Sequence, residues 1–343
     1  MTTAANPPGL ELARFAAWFD AACPGLRSGD LSADVVAGGR SNLTYVVSDG
    51  TQQWVLRRPP LGHVLATAHD MTREHRVISA LAGTGVPVPR VLGLCEDPEV
   101  LGAPFYLMEH VGGTPYRSAR ELEQLGPQRT TAIAERLVHT LATLHRVDPA
   151  SVGLEDFGRP EGYLERQVRR WKKQLDGSRS RELVGIDELH AALAASPPET
   201  SEPTIVHGDY RLDNVLVDHE DQIVAVLDWE MATLGDPLAD VALLAVYQRT
   251  DHPGIANVEA PVTHAPGWPS EHELLERYAT ASGRDLSHLG FHIGLAAFKL
   301  AVILEGIHYR HVHGQTVGEG FDQVGRMVEP LVTIGRNALE EKH

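Results

Sequence analysis

The chain is poor in several things, and each shortage excludes something. Only two of its 343 residues are cysteines, Cys23 and Cys95. That is no disulfide framework, and a reduced, cytoplasmic setting is expected. Basic residues are outnumbered: 30 Lys and Arg face 46 Asp and Glu, for a formal net charge of −16. This argues against nucleic acid or an anionic membrane as the main partner. It permits a cationic ligand, although net charge does not decide pocket charge. The opening residues lack a basic stretch followed by an apolar core, so no secretory leader is expected. The most apolar run, Phe291 to Ile307, is interrupted by Lys299 and Glu305. It falls short of the roughly 20 residues of a membrane span and reads as a buried helix. Repeats and low-complexity segments are missing too. The hydrophobic content of 43% is ordinary, and the length suits one large domain or two smaller ones. His308, His311 and His313 cluster, but without a carboxylate or cysteine at a familiar spacing, so zinc is not expected there.

What is present concentrates between Val206 and Asp240. His207-Gly208-Asp209 is followed five residues after the aspartate by Asn214, and Asp228 opens Asp228-Trp229-Glu230. Between them Val215 to Val217 and Ile223 to Leu227 read as strands joined by the polar turn Asp218 to Asp221. A short hairpin would bring Asn214 and Asp228 close. Phosphoryl transfer needs an orienting base for a hydroxyl and oxygen ligands for Mg²⁺. H-G-D-x-x-x-x-N followed by D-W-E has the order and spacing of the protein-kinase catalytic segment. The stretch resembles the aminoglycoside phosphotransferase and choline kinase branch of the protein-kinase-like fold. The resemblance implies an α+β, two-lobe fold with a small β-rich lobe and a larger helical one. It also implies Asp209 as catalytic base, with Asn214 and Asp228 holding Mg²⁺ beside ATP. His207 reads as a structural histidine. Asp236 and Asp240 resemble the segment that organises the catalytic loop. Arg211 either steadies the transferred group or pairs with an acid.

Earlier in the chain, Gly9 to Cys23 has helical periodicity. Val35 to Val47 reads as strand, glycine turn and strand, with Gly38, Gly39, Ser41 and Asn42 in the turn. Such a turn can lay backbone N–H groups on phosphates or simply close a hairpin. The G-x-G-x-x-G pattern is absent. In the next strand Arg57, or Arg58 if the register shifts, stands where the resemblance implies a phosphate-binding lysine. Asp70 can cap a helix to about Ala82, and Glu74, Val77, Ile78 and Leu81 share one face of it. A carboxylate on an apolar face needs a partner, and Arg57 is the candidate. Pro104 to Val111 reads as a strand, after which composition turns helical. The lobe boundary is therefore placed near Gly112, giving lobes 1–112 and 113–343. The resemblance puts adenine at this hinge, with Glu109, His110 and Val111 as candidates.

Beyond the hinge, helices are expected over Ala134–His145, Tyr163–Leu175, Leu238–Gln248, Glu271–Ala281, Phe291–Arg310 and Phe321–Leu339, with a loop from Pro253 to Ser270. The helix from Tyr163 concentrates Arg166, Arg169, Arg170, Lys172 and Lys173. It reads as a solvated face or as a patch for an anionic substrate tail. A narrower resemblance joins VLRRPP, Ala66 to Asp70 with Arg73-Glu74, HGDYRLDN and DWEMATLGDPLAD. These look like the kinase domains that some proteins carry fused to acyl-CoA dehydrogenases; no dehydrogenase domain is expected to follow. The class implied is a small-molecule kinase acting on a hydroxyl, with a hydroxyacyl-CoA as leading acceptor. An aminoglycoside or amino-alcohol kinase, or a catalytically silent binding module, are the alternatives.

Overall fold

A computed structural model describes residues 6–36, 42–62, 69–200, 202–250, 260–316 and 321–341. The expected roles of Gly38, Gly39 and Ser41, the segment from Ala66 to Ala68 and residues 253–259 of the Pro253 loop lie outside the described residues. Two units are distinguished. One comprises Met1–Gly113 with Val224–Ala232, the other Thr114–Ile223 with Thr233–His343. The sequence assigns everything beyond Gly112 to the second lobe. The short segment carrying Asp228 belongs instead with the first.

The first unit runs α1 (Leu12–Ala22), β1 (Ser32–Val35), β2 (Leu43–Ser48), β3 (Gln53–Arg58), α2 (Met71–Leu81), β4 (Val91–Cys95), α3 (Pro98–Leu101) and β5 (Phe105–Glu109). Its strands form one antiparallel sheet in the order β1-β2-β3-β5-β4. Alternation along β3 sends Trp54, Leu56 and Arg58 to one face and Val55 and Arg57 to the other. The first face packs on α1, where Phe19 meets Trp54 edge-on at 4.9 Å and Trp18 meets Phe105 at 4.7 Å. Full burial of an aromatic such as Phe19 or Phe105 contributes about 1.5–3 kcal/mol. The second face looks at α2, which starts where Asp70 caps it by accepting from the Arg73 amide at 3.0 Å.

The second unit contains α4 (Ala119–Glu123), α5 (Pro127–His145), α6 (Tyr163–Ser178), α7 (Ile186–Ala195), β6 (Thr204–Val206) and β7 (Val215–Val217). After β8 (Ile223–Val226), where the chain passes between units, come β9 (Thr233–Gly235), α8 (Leu238–Arg249), α9 (Glu271–Ser282), α10 (Leu289–Val312) and α11 (Val328–Glu340). The expected polar turn follows β7: the Asp218 carboxylate accepts from the amides of Glu220 and Gln222 at 2.9 and 2.8 Å. Helix α10 packs against α6, α7, α8 and α11. It is longer than its apolar run and, by length and composition alone, could cross a membrane. However, 78% of its apolar window is buried within the protein. Helix α5 begins seven residues earlier than its apolar face suggests, because Pro127 is favourable in a first helical turn. The segment expected as one helix from Phe321 is a short 3₁₀ turn, Val324–Met327, leading into α11.

Candidate active site

In the first unit the register of β3 decides between the two arginines. Arg58 is buried on the α1 side, where its guanidinium donates to the carbonyls of Gly9 and, at 2.8 Å, Leu101. Arg57 projects towards α2. Its Nε lies 2.8 Å from Glu74 Oε2 and its Nη2 2.6 Å from Asp228 Oδ1. Glu74 is 2% exposed, on the apolar face where the sequence places it. Burial pushes its carboxyl above the ordinary range, with Arg57 opposing that shift. The Tyr106 hydroxyl, opposite Arg57 on β5, donates to Glu74 Oε2 at 3.0 Å. Asp228 stands in the left-handed region at φ +66°, unusual for a side-chain-bearing residue but tolerated by aspartate. The following Trp229 is buried and donates its indole N–H to Val226 O at 3.0 Å.

Two members of this cluster differ from expectation. The side chain of Asn42 is committed to the acids: Nδ2 donates to Glu74 Oε1 at 3.0 Å and Glu230 Oε2 at 3.1 Å, and His69 Nδ1 lies 2.8 Å from Oδ1. Glu230, for which the sequence suggests no role, lies 3.9 Å from Arg57. At the hinge, the Glu109 amide donates to Arg90 O at 2.9 Å and its carboxylate accepts from the Arg90 amide at 2.8 Å. Val111 lies beyond β5 and is half-buried.

In the second unit β6 pairs with β9 in the register Thr204↔Gly235, Ile205↔Leu234, Val206↔Thr233. This brings the start of the His207 loop beside the start of α8. There the buried Asp240 carboxylate accepts from the amides of His207 and Gly208, both at 2.7 Å. His145 Nε2 lies 3.2 Å from the same carboxylate, and His145 Nδ1 is 2.7 Å from the Tyr278 hydroxyl. Burial would raise the Asp240 carboxyl, but the donors from His145 and His207 outweigh it and hold it below its ordinary value. The organising role expected of Asp240 thus has a geometry. His207 is structural as expected: fully buried, its Nδ1 accepts the Asp209 amide at 3.2 Å. Asn214 donates from Nδ2 to Asp209 O at 2.8 Å and to Asp209 Oδ2 at 3.0 Å. Arg211 pairs with Asp213, donates to the Tyr247 hydroxyl at 3.2 Å and lies over that ring at 5.6 Å. Of its two expected roles, the pairing with an acid is the one seen.

The sequence reading misses Lys299 as well. It donates from Nζ to Gly208 O at 2.8 Å and sits 5.7 Å from the Trp171 ring. Burial pushes its ammonium below the usual lysine range. The only signal in the sequence is a single cation inside the apolar run of α10. On α6, Trp171 and Val168 pack inward while Arg169, Arg170 and Lys173 are exposed. Lys172 pairs with Asp176, and Arg166 donates to the carbonyls of Arg159 and Glu161.

Comparison with known proteins identifies the family and the fold. Residues 32–274 match the model of the phosphotransferase enzyme family. The chain is 37% identical over 317 residues to acyl-CoA dehydrogenase family member 11 of Gallus gallus, covering 90% of this chain and 40% of that protein. It is 36% identical over 300 residues to family member 10 of Mus musculus, covering 86% and 28%. The chain therefore spans well under half the length of these relatives. Among solved structures, a Ralstonia eutropha JMP134 protein classed with the aminoglycoside phosphotransferases is 32% identical, with a TM-score of 0.85 over 97% of this chain and 99% of that one. A thermostable form of the aminoglycoside phosphotransferase APH(4)-Ia shares the fold at 17% identity, with a TM-score of 0.65 over 95% and 99% of the two chains. The architecture is the protein-kinase-like one, an antiparallel-sheet lobe and a helical lobe, and the chain belongs to the phosphotransferase enzyme family.

Proposed function

We propose that the chain is an ATP-dependent kinase that phosphorylates a hydroxyl of a small molecule, with a hydroxyacyl-CoA as the leading acceptor. The observation that carries this reading is the contact of Asn214 with both the carboxylate and the carbonyl of Asp209. A base must be aimed before it is useful, and here an amide aims it. Asp209 accepts the acceptor's proton as its oxygen attacks the γ-phosphorus. The bond from that phosphorus to the β,γ-bridging oxygen breaks, and ADP leaves. Arg57 offers a forked, permanently charged donor to the nucleotide phosphates. Related enzymes support nucleotide use: APH(4)-Ia was crystallised with AMP-PNP and hygromycin B.

Each unit offers one oxygen donor of the kind Mg²⁺ takes. Because Asn214 spends its NH₂ on Asp209, its Oδ1 remains as a hard oxygen donor, and Asp228 supplies a carboxylate. When bound, the ion would neutralise charge on the phosphates. No group of three or more metal-ligating His, Cys, Asp or Glu occurs among the described residues. This suits an ion that shares its coordination with a nucleotide and water rather than an all-protein cage.

The names of the curated relatives refer to acyl-CoA. The exposed Arg169, Arg170 and Lys173 are where a polyanionic tail would be met. An aminoglycoside or amino-alcohol acceptor is the competing reading. The deciding experiment is ATP-dependent phosphorylation of a panel of hydroxyacyl-CoAs, amino alcohols and aminoglycosides, with Asp209→Asn as control. Transfer to a hydroxyacyl-CoA, lost in the variant, is expected. Robust transfer to polycations alone would overturn the acceptor class, and no transfer by intact protein the kinase reading.

A further inference from the structure

In the second unit a pocket opens beside the catalytic loop. Tyr163, Gln167 and Trp171 of α6 line it with Leu243 of α8 and Leu295 and Lys299 of α10, and Gly208 lies at its edge. The walls are largely aromatic and aliphatic, and no carboxylate lines them among the described residues. The titratable members besides Tyr163 and Lys299 are limited to His292, whose Nε2 lies 3.1 Å from Asp236. The charges acting on Lys299 are Asp209, Asp240 and Arg170.

A lysine ammonium has three donors. One of Lys299's goes to Gly208 O, and among the described residues no second oxygen takes another. Lys299 is half-buried, its other donors can still take a ligand oxygen, and its side chain lines the pocket. The geometry points to Lys299 as a specificity-determining residue, donating to a carbonyl or carboxylate oxygen of the acceptor while the acceptor's hydroxyl is presented to Asp209. The assignment rests on the kinase reading above and narrows it: the acceptor carries an oxygen acceptor near its hydroxyl and a short carbon chain for the apolar walls. An amine in that place meets the Lys299 ammonium, and none of the described residues lining the pocket is a carboxylate. The pocket therefore selects against amino alcohols.

Calorimetric binding tests this with two matched probes: the N-acetylcysteamine thioester of a six-carbon β-hydroxy acid, and an amino alcohol of the same carbon length. The wild type should bind the thioester at least about tenfold more tightly, roughly 1.4 kcal/mol. Lys299→Met should remove that preference and Lys299→Arg retain part of it. Should Lys299→Met fail to fold, Gln167→Glu adds a carboxylate to the same wall without touching Gly208. It should weaken the thioester and strengthen the amine. Equal affinity for the two probes, or a preference unchanged in Lys299→Met and Gln167→Glu, overturns the proposal. Because binding is read without turnover, thioester binding through Lys299 without phosphate transfer would sink the kinase reading alone. Phosphate transfer indifferent to Lys299 would sink this one alone.

Discussion

The two units handle buried charge in opposite ways. In the first, one guanidinium is surrounded by an excess of acid: Arg57 meets Glu74 and Asp228 directly and Glu230 at longer range. In the second, one carboxylate is surrounded by an excess of donors: Asp240 collects two amides and an imidazole. In the first arrangement several carboxylates share one guanidinium, so it can trade partners when a cation or phosphate arrives. The second has little to trade, because its donors are backbone amides and a neutral ring in a fully buried place. On the proposed reading, the first cluster has to respond to a nucleotide, whereas the loop before Asp209 has to stay in place.

The sharpest way to test that contrast is to remove the base and spare both networks. Asp209→Asn should lower turnover by about 100-fold or more, with nucleotide affinity and melting temperature unchanged. Wild-type turnover would refute the assignment. Next in size is Asp240→Ala, which strands two buried amides and His145. A loss of about 3 kcal/mol or more in urea unfolding is expected. The pH dependence has a definite sign. A carboxyl held below its ordinary value contributes fully above about pH 4 and loses that contribution as pH falls towards its lowered value. The stability gap between wild type and Asp240→Asn should therefore close on acidification. A gap that widened would contradict the donor-rich picture.

The acid-rich cluster calls for a double-mutant cycle. Arg57→Met and Glu74→Gln should each weaken ATP binding. The double variant should lose less than the sum by about 1–3 kcal/mol; strict additivity would show two independent residues. The smallest effect concerns the exposed face of α6. Arg169→Glu with Arg170→Glu should raise KM for an anionic acceptor several-fold and flatten its salt dependence, leaving kcat nearly unaltered. Unchanged KM would return these arginines to a solvated surface.

Local features were legible because their causes are local. Asp70 caps α2, and Glu74 falls on its buried face at helical spacing. The order of His207, Asp209, Asn214 and Asp228 pointed to the family before any fold was known. The choice of Arg57 over Arg58 was not legible, since alternation separates the two faces of a strand without saying which meets α2. Nor were Lys299 and His145, which reach their partners across 91 and 95 residues. No periodicity links such distant positions. Glu230 escaped for a related reason: only folding sets it beside Asn42.

One consequence of the catalytic loop lies in its peptide planes. The unit joining Gly208 to Asp209 is held at both ends, its oxygen by Lys299 and its N–H by His207. The preceding N–H is held by Asp240, and Gly208 supplies the φ of +85° that lets the chain take this path. Turning that plane over would break two hydrogen bonds, at about 1–3 kcal/mol each. A flipped population of a few per cent at most is expected. Peptide inversion ahead of the base is thus unavailable as an on–off device, and the Asp209 amide should rank among the slowest-exchanging loop hydrogens in the protein.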